Sequence, residues 1–77
     1  MNGLCRLSDI TPGQRAKIIS LEGPLHGRLA ELGFIPGAVI ECMFRSPLGD
    51  PSAFLAGGAL IALRREDICD IAVEVML

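Results

Sequence analysis

Apolar residues recur along much of this chain with the two-residue period of a β-strand. The clearest case is AVIECMF, residues 38–44, which lies between turn-forming segments. Alternation places Ile40, Cys42 and Phe44 on one face of this predicted strand, and Val39, Glu41 and Met43 on the other. Ala16–Leu21 and residues 68–75 are further short, β-branched runs. We predict a strand in each of them.

A pair of glycines marks the turn of a predicted β-hairpin. Gly57 and Gly58 separate the short apolar runs SAFLA and ALIAL. Glycine adopts positive φ without steric cost, so the pair suits a tight turn between two antiparallel strands. The polar residues RRED, 64–67, then interrupt the strand pattern, and we predict one turn of 3₁₀ helix there.

A helical period follows the first predicted strand. One apolar stripe with the spacing i, i+4, i+7 is formed by Leu25, Leu29 and Leu32. We predict that this stripe packs into the core and that the helix begins near His26. Gly33 suits a left-handed cap at its end, and Pro36 stops any continuation. The pattern leaves open whether the ring of Phe34 packs inward or stays exposed.

The order of these elements predicts the fold class. At the start of the chain, Leu4, Leu7 and Ile10 recur in three-residue steps, which predicts a short helical or irregular turn. The remaining segments predict a mainly β protein: a small, SH3-like, partly open barrel of about five strands with one or two short helices. At 77 residues, we expect residues 1–77 to form a single domain.

Composition limits the classes of partner. Seven basic and nine acidic residues give a net charge of −2, without a basic patch, and Trp and Tyr are absent, so we predict no nucleic-acid partner. The longest uncharged apolar run, Ala53–Leu63, is too short to span a bilayer, and the N-terminus lacks a signal sequence, which predicts a cytoplasmic protein. The hydrophobic content of 51% is high, and this indicates apolar surface that faces a partner or another copy of the chain.

Residues that carry chemistry are few. The three cysteines, Cys5, Cys42 and Cys69, lack the close spacing of a zinc motif or a disulfide framework. His26 is the only histidine, and a transition-metal site would need two or more further ligands. Glu22 could contribute one, and a site shared between two copies of the chain stays open. No catalytic triad or phosphate-binding loop can be assembled. We therefore predict no metal, no cofactor and no enzymatic activity.

The segment SPLGDP, residues 46–51, is an unusual connector between two apolar runs, and we name it the elbow. One interpretation is a corner whose prolines fix the chain direction and prevent edge pairing. The other is a rigid turn that presents Leu48 outward as an anchor for a partner. The two interpretations are compatible.

Several motifs together resemble the FeoA family of ferrous iron transport accessory proteins. The resemblance rests on Leu-Gly-x-x-Pro-Gly (residues 32–37), Pro-Leu-Gly-Asp-Pro (residues 47–51) and Leu63-Arg64 before the last strand. It covers nearly the whole chain. The resemblance implies an SH3-like barrel with added helices, and a cytosolic role beside FeoB, the membrane protein that imports ferrous iron and carries a GTPase domain. A related domain forms the C-terminal module of iron-dependent repressors.

On this basis we predict a regulatory accessory protein that binds the cytosolic part of FeoB and meets the membrane only through that transporter. The predicted partner-binding residues are Pro47, Leu48, Asp50, Val39, Met43, Arg64 and Arg65. The two arginines could clamp a partner's carboxylate or phosphate, or instead pair locally with Glu66, Asp67 or Asp50. Supplying an arginine to activate GTP hydrolysis is a variant of this hypothesis.

Two other functions compete with this one. A metal sensor or carrier would use Cys42, Cys69 or His26 as ligands. A peptide-binding module of SH3 type would display aromatic side chains, and the chain has three Phe but no Trp or Tyr.

Overall fold

The computed structural model describes residues 4–76. The predicted 1–77 domain therefore includes four residues, 1–3 and 77, that lie outside the described part. The elements in chain order are β1 (Leu4–Arg6), a 3₁₀ helix (Leu7–Asp9), β2 (Arg15–Leu21), α1 (His26–Glu31), β3 (Val39–Arg45), β4 (Ser52–Ala56), β5 (Ala59–Leu63), α2 (Arg65–Ile68) and β6 (Ile71–Met76).

The six strands form one antiparallel sheet in the order β1-β6-β2-β3-β4-β5. The predicted mainly β class is confirmed. The sheet has one strand more than predicted, because Leu4 and Arg6 pair with Glu74 and Ala72 of β6. The expected helical turn at the start of the chain is limited to Leu7–Asp9. Within the described residues, no helix is long and apolar enough to cross a membrane.

The predicted hairpin is confirmed, and the predicted turn of 3₁₀ helix is not. β4 and β5 pair in register around Gly57 and Gly58, both of which have positive φ. The polar segment that follows begins α2, a four-residue α-helix, and Ile68 at its end is buried. The side chain of Ile68 therefore packs into the core from an α-helical turn and not from a 3₁₀ turn.

Buried side chains from the sheet, both short helices and the loops between them form one core. The largest fully buried residues are Phe34, Phe54, Leu7, Ile10, Ile18, Leu29, Ile40, Ile68, Ile71 and Val73. The core therefore lies against one face of the sheet, and the other face, which we call the open side, carries exposed residues such as Leu55 and Leu60.

The end of α1 decides which side chains reach this core. The N–H of Phe34 donates to the carbonyl of Leu29 at 3.0 Å, and the N–H of Gly33 donates to Ala30 at 3.1 Å. This is the Schellman pattern, and Gly33 has the positive φ of +102° that it requires. The reversal turns the ring of Phe34 inward, to 0% exposure, against Leu29. Leu32 is left 43% exposed, so the prediction that the whole leucine stripe is core is wrong at this residue.

A β-bulge changes the predicted faces of β3. The pairing of β3 with β4 shifts between Cys42 and Phe44, so that Met43 is an extra residue. Ile40 and Cys42 are buried as predicted, but Phe44 is 55% exposed rather than on their face. The bulge therefore places Met43 and Phe44 on the open side of the sheet.

Candidate functional site

Backbone hydrogen bonds close the elbow into a compact loop between β3 and β4. The N–H of Ser46 donates to the carbonyl of Pro51 at 3.0 Å across its base. The N–H of Gly49 donates to the carbonyl of Ser46 at 2.7 Å, which makes residues 46–49 a β-turn. The N–H of Leu48 points at the Ser46 hydroxyl at 3.4 Å. The loop thus satisfies most of its own donors.

The turn places each residue type where its backbone fits. Pro47 occupies the second position of the turn, for which its fixed φ is suited. Gly49 has φ +90°, a conformation that other residues rarely adopt, and a side chain there would meet no atom within 4 Å. The requirement at Gly49 is therefore one of backbone conformation and not of space.

Asp50 ties the elbow to α2. Its Oδ1 accepts a hydrogen bond of 2.8 Å from the backbone N–H of Arg65, the first residue of that helix. A carboxylate here satisfies one of the free N–H groups that begin a helix. This contact uses the backbone N–H of Arg65 and not its guanidinium, so it differs from the side-chain pairing suggested by the sequence. The side chains of Arg64 and Arg65 are exposed.

Arg45 fixes the base of the elbow and is not among the site residues predicted from the sequence. Its Nε donates to the hydroxyl of Ser52 at 3.0 Å, and its Nη2 donates to the carbonyl of Ile10 at 2.6 Å. Ile10 is separated from Arg45 by 35 positions, so no local sequence signal reveals this contact. The guanidinium joins the end of β3, the start of β4 and the N-terminal loop.

We expect Arg45→Met to destabilise the fold by about 1.5–3 kcal/mol, because a charged hydrogen-bond donor is lost and the Ile10 carbonyl is left without this donor. Methionine retains much of the apolar stem, so the loss reports mainly on the hydrogen bonds. Urea unfolding measures the change, and amide exchange at Leu48 and Gly49 measures how far the elbow loosens. Arg15→Met, at an exposed position of β2, is the matched control, and an equal loss of stability in both variants would contradict this role for Arg45.

Leu48 stands at the apex of this supported loop and is 93% exposed. Met43 lies on the open side of β3, near the base of the elbow. Val39 is also exposed, but it begins β3, about 13 Å from Met43 along the strand. The structure therefore brings Leu48, Pro47 and Asp50 together in the elbow. Val39 lies at the other end of β3, away from the elbow. The partner-binding role of all seven residues stays a prediction.

The residues proposed as metal ligands lie in different surroundings. Cys42 is buried in the core, and burial raises the pKa of its thiol. The positive charge of the Arg45 guanidinium opposes this rise in pKa but does not cancel it. A raised pKa disfavours the thiolate that binds metals. The Cys69 thiol lies 3.7 Å from the carbonyl of Glu66, and His26 Nδ1 donates to the carbonyl of Gly23 at 3.0 Å. Across residues 4–76, no three His, Cys, Asp or Glu side chains are grouped to hold a metal ion.

Comparison with known proteins gives a concordant result. A model of the FeoA domain family matches residues 5–75. The Fe(2+) transport protein A/Fe(2+) transporter FeoB fusion protein of Porphyromonas gingivalis is 36% identical over 73 residues, which are 92% of this chain and 9% of the fusion protein. This chain thus spans less than a tenth of that relative's length.

Two solved structures share the fold. The solution structure of the FeoA protein from Chlorobium tepidum has a TM-score of 0.87 at 31% identity, over 94% of this chain and 70% of that chain. The crystal structure of Stenotrophomonas maltophilia FeoA complexed with zinc, described as a procaryotic SH3 domain protein, has a TM-score of 0.79 at 26% identity, over 88% and 87% of the two chains.

An antiparallel, mainly β sheet of short strands with this likeness defines the protein as an SH3-like domain. The match extends from β1 to β6 and includes the elbow. The chain belongs to the FeoA domain family of ferrous iron transport proteins.

Proposed function

We propose that this protein is a cytoplasmic accessory protein that regulates ferrous iron uptake by binding the cytosolic, GTPase-containing part of a FeoB-type transporter. Family membership supports the role in iron transport. The relative in which FeoA and FeoB sequences form one chain supports the choice of partner, since fusion keeps two domains at high effective concentration.

The observation that carries the proposal is the exposure of Leu48 on a loop that is already ordered. Burying a leucine side chain fully contributes about 1.5–3 kcal/mol to binding. A flexible loop would lose part of this gain to ordering, whereas the hydrogen bonds of Ser46, Gly49 and Asp50 hold the elbow before contact. Leu48 therefore acts as the anchor, with Pro47 beside it.

Neighbouring residues extend the contact in two directions. Met43 adds apolar surface at the base of the elbow, and a partner that follows β3 would reach Val39 as well. On the other side, Asp50 holds α2 against the elbow, and the exposed side chains of Arg64 and Arg65 would contact carboxylates or phosphates of the partner. Asp50 itself holds the elbow to α2 and positions these arginines.

Binding regulates the transporter only if the affinity differs between its conformations. We expect titration of the cytosolic part of the transporter by calorimetry to show binding that is stronger in one nucleotide state than in the others. The three arms are nucleotide-free protein, GDP, and a GTP analogue that is not hydrolysed. The absence of binding in all three would contradict the proposal.

The same mixtures distinguish how the contact acts. If an arginine assists GTP hydrolysis, the rate rises on mixing and the rise is lost in Arg64→Gln or Arg65→Gln. If the contact only selects a conformation, both variants leave the hydrolysis rate of the mixture unchanged apart from any loss of affinity.

A further inference from the structure

The two edges of the sheet differ in how they are protected against pairing. β1 has three residues and ends in Arg6, so it is short and charged, as protected edges usually are. β5 has five residues, Ala-Leu-Ile-Ala-Leu, without a charge or a proline. In the sheet formed by residues 4–76, β4 is its one neighbour. The β5 edge therefore lacks the features that normally prevent a further strand from adding.

The hairpin geometry fixes which groups of β5 face outward. With a two-residue turn, Ala56 and Ala59 are a hydrogen-bonded pair, and bonding then alternates along the ladder. Residues 59, 61 and 63 thus bond to β4. Leu60 and Ala62 direct their N–H and C=O groups to the open edge, and both side chains are exposed.

We propose that the β5 edge pairs antiparallel with β5 of a second copy of this chain, about a two-fold axis at Ile61. In this register Leu60 and Ala62 of one copy exchange hydrogen bonds with Ala62 and Leu60 of the other. Each leucine of the strand then lies opposite an alanine: Leu60 opposite Ala62, and Leu63 opposite Ala59. Large and small side chains alternate across the whole contact, and Ile61 meets its own copy at the centre.

The absence of charged residues from the hairpin also favours a second copy of this chain as the partner of the β5 edge. From Ser52 to Leu63 the hairpin has no charged residue, so two copies meet without repulsion between like charges. The nearest charge, Arg64, falls opposite Gly58 of the other copy, and the two Arg64 side chains stay apart. On the open side of the sheet, Leu55 lies opposite Leu60 within one copy. In the proposed dimer, Ala62 of the second copy lies on the other side of Leu60 and extends this row of apolar side chains.

Two strands of five residues bury less than the area of about 1,200 Å² below which interfaces are usually weak. We therefore expect a reversible dimer with a dissociation constant between about 1 µM and 1 mM. The inference does not depend on transporter binding, because it uses a different edge of the molecule from Leu48.

Sedimentation velocity from about 10 µM to about 1 mM tests the proposal on the full chain. We expect Leu60→Lys to raise the dimer dissociation constant by about tenfold or more, because a lysine protects an edge strand. Leu4→Lys is the matched control: it is also a leucine on an edge strand, 62% exposed against 56% for Leu60, and it should leave the dimer unchanged. Thermal unfolding checks that both variants are folded.

A second pair of variants tests the geometry. Ala62→Pro removes an outward N–H without breaking a bond to β4, and should abolish the dimer, whereas Ala62→Ser should keep it. In the wild type, amide exchange at Leu60 and Ala62 should slow as the concentration rises, with Ile61 protected throughout. A chain that stays monomeric at about 1 mM, a dimer that survives Ala62→Pro, or equal effects of Leu60→Lys and Leu4→Lys would each overturn the proposal. The proposal would also be overturned if the Leu60 and Ala62 amides became protected only on addition of the transporter fragment, and not when the concentration of this protein rises.

Discussion

Replacing Phe34 by alanine is expected to unfold a large part of the protein population, while the same change at Phe44 leaves it folded. Phe34 is 0% exposed and packs with Leu29 in the core, so its truncation costs about 3–5 kcal/mol. A domain of this size has a total stability on the order of 5 kcal/mol. Phe44 is half-exposed on the open side of the sheet, where truncation costs less than about 1 kcal/mol.

Urea unfolding followed by circular dichroism measures both variants under the same conditions. Both substitutions remove the same phenyl ring, and Phe44 differs from Phe34 in lying outside the core, on the outward side of the bulge at Met43. Equal losses of stability in the two variants would show that the ring of Phe34 does not occupy the core.

Replacing Leu48 by aspartate is expected to weaken binding to the cytosolic part of the transporter by about tenfold or more, without unfolding the protein. At 93% exposure the side chain contributes little to the fold, so the free energy of unfolding should change by less than about 0.5 kcal/mol. A carboxylate at the apex of the elbow would have to be desolvated on binding, and it would remove the apolar anchor.

Calorimetric titration measures this change, and Leu32→Asp is the matched control. Leu32 is also an exposed leucine, but it lies at the end of α1 and outside the elbow. An affinity that is unchanged in Leu48→Asp, or lowered equally in Leu32→Asp, would remove the elbow from the proposed interface.

The features that could be predicted from the sequence are those that depend on neighbouring residues. The hairpin follows from Gly57 and Gly58 between two apolar runs, and the end of α1 follows from Gly33. The position of Leu48 likewise follows from the short turn around it. In each case the conformational preference of a few adjacent residues decides the structure.

The features that could not be predicted depend on pairing between distant segments. β1 is a strand only because β6 lies beside it, and Phe44 faces outward only because β3 and β4 pair with a bulge. Arg45 has partners in two segments, and one of them precedes it by 35 positions. The proposed partner-binding role of the elbow likewise depends on contacts outside this chain, because an exposed leucine gains its binding energy only when a second molecule buries it.

Under the proposed binding mode, the contacts of the elbow determine how a partner would distinguish states of this protein. Its shape depends on Ile10 through Arg45, on Ser52, and on Arg65 through Asp50, which belong to three separate parts of the chain. These parts are brought together by the pairing of β2, β3, β4 and β5. Under the proposed binding mode, a nascent, truncated or locally unfolded copy would present Leu48 on a loose loop and bind weakly, so the proposed recognition would select intact molecules.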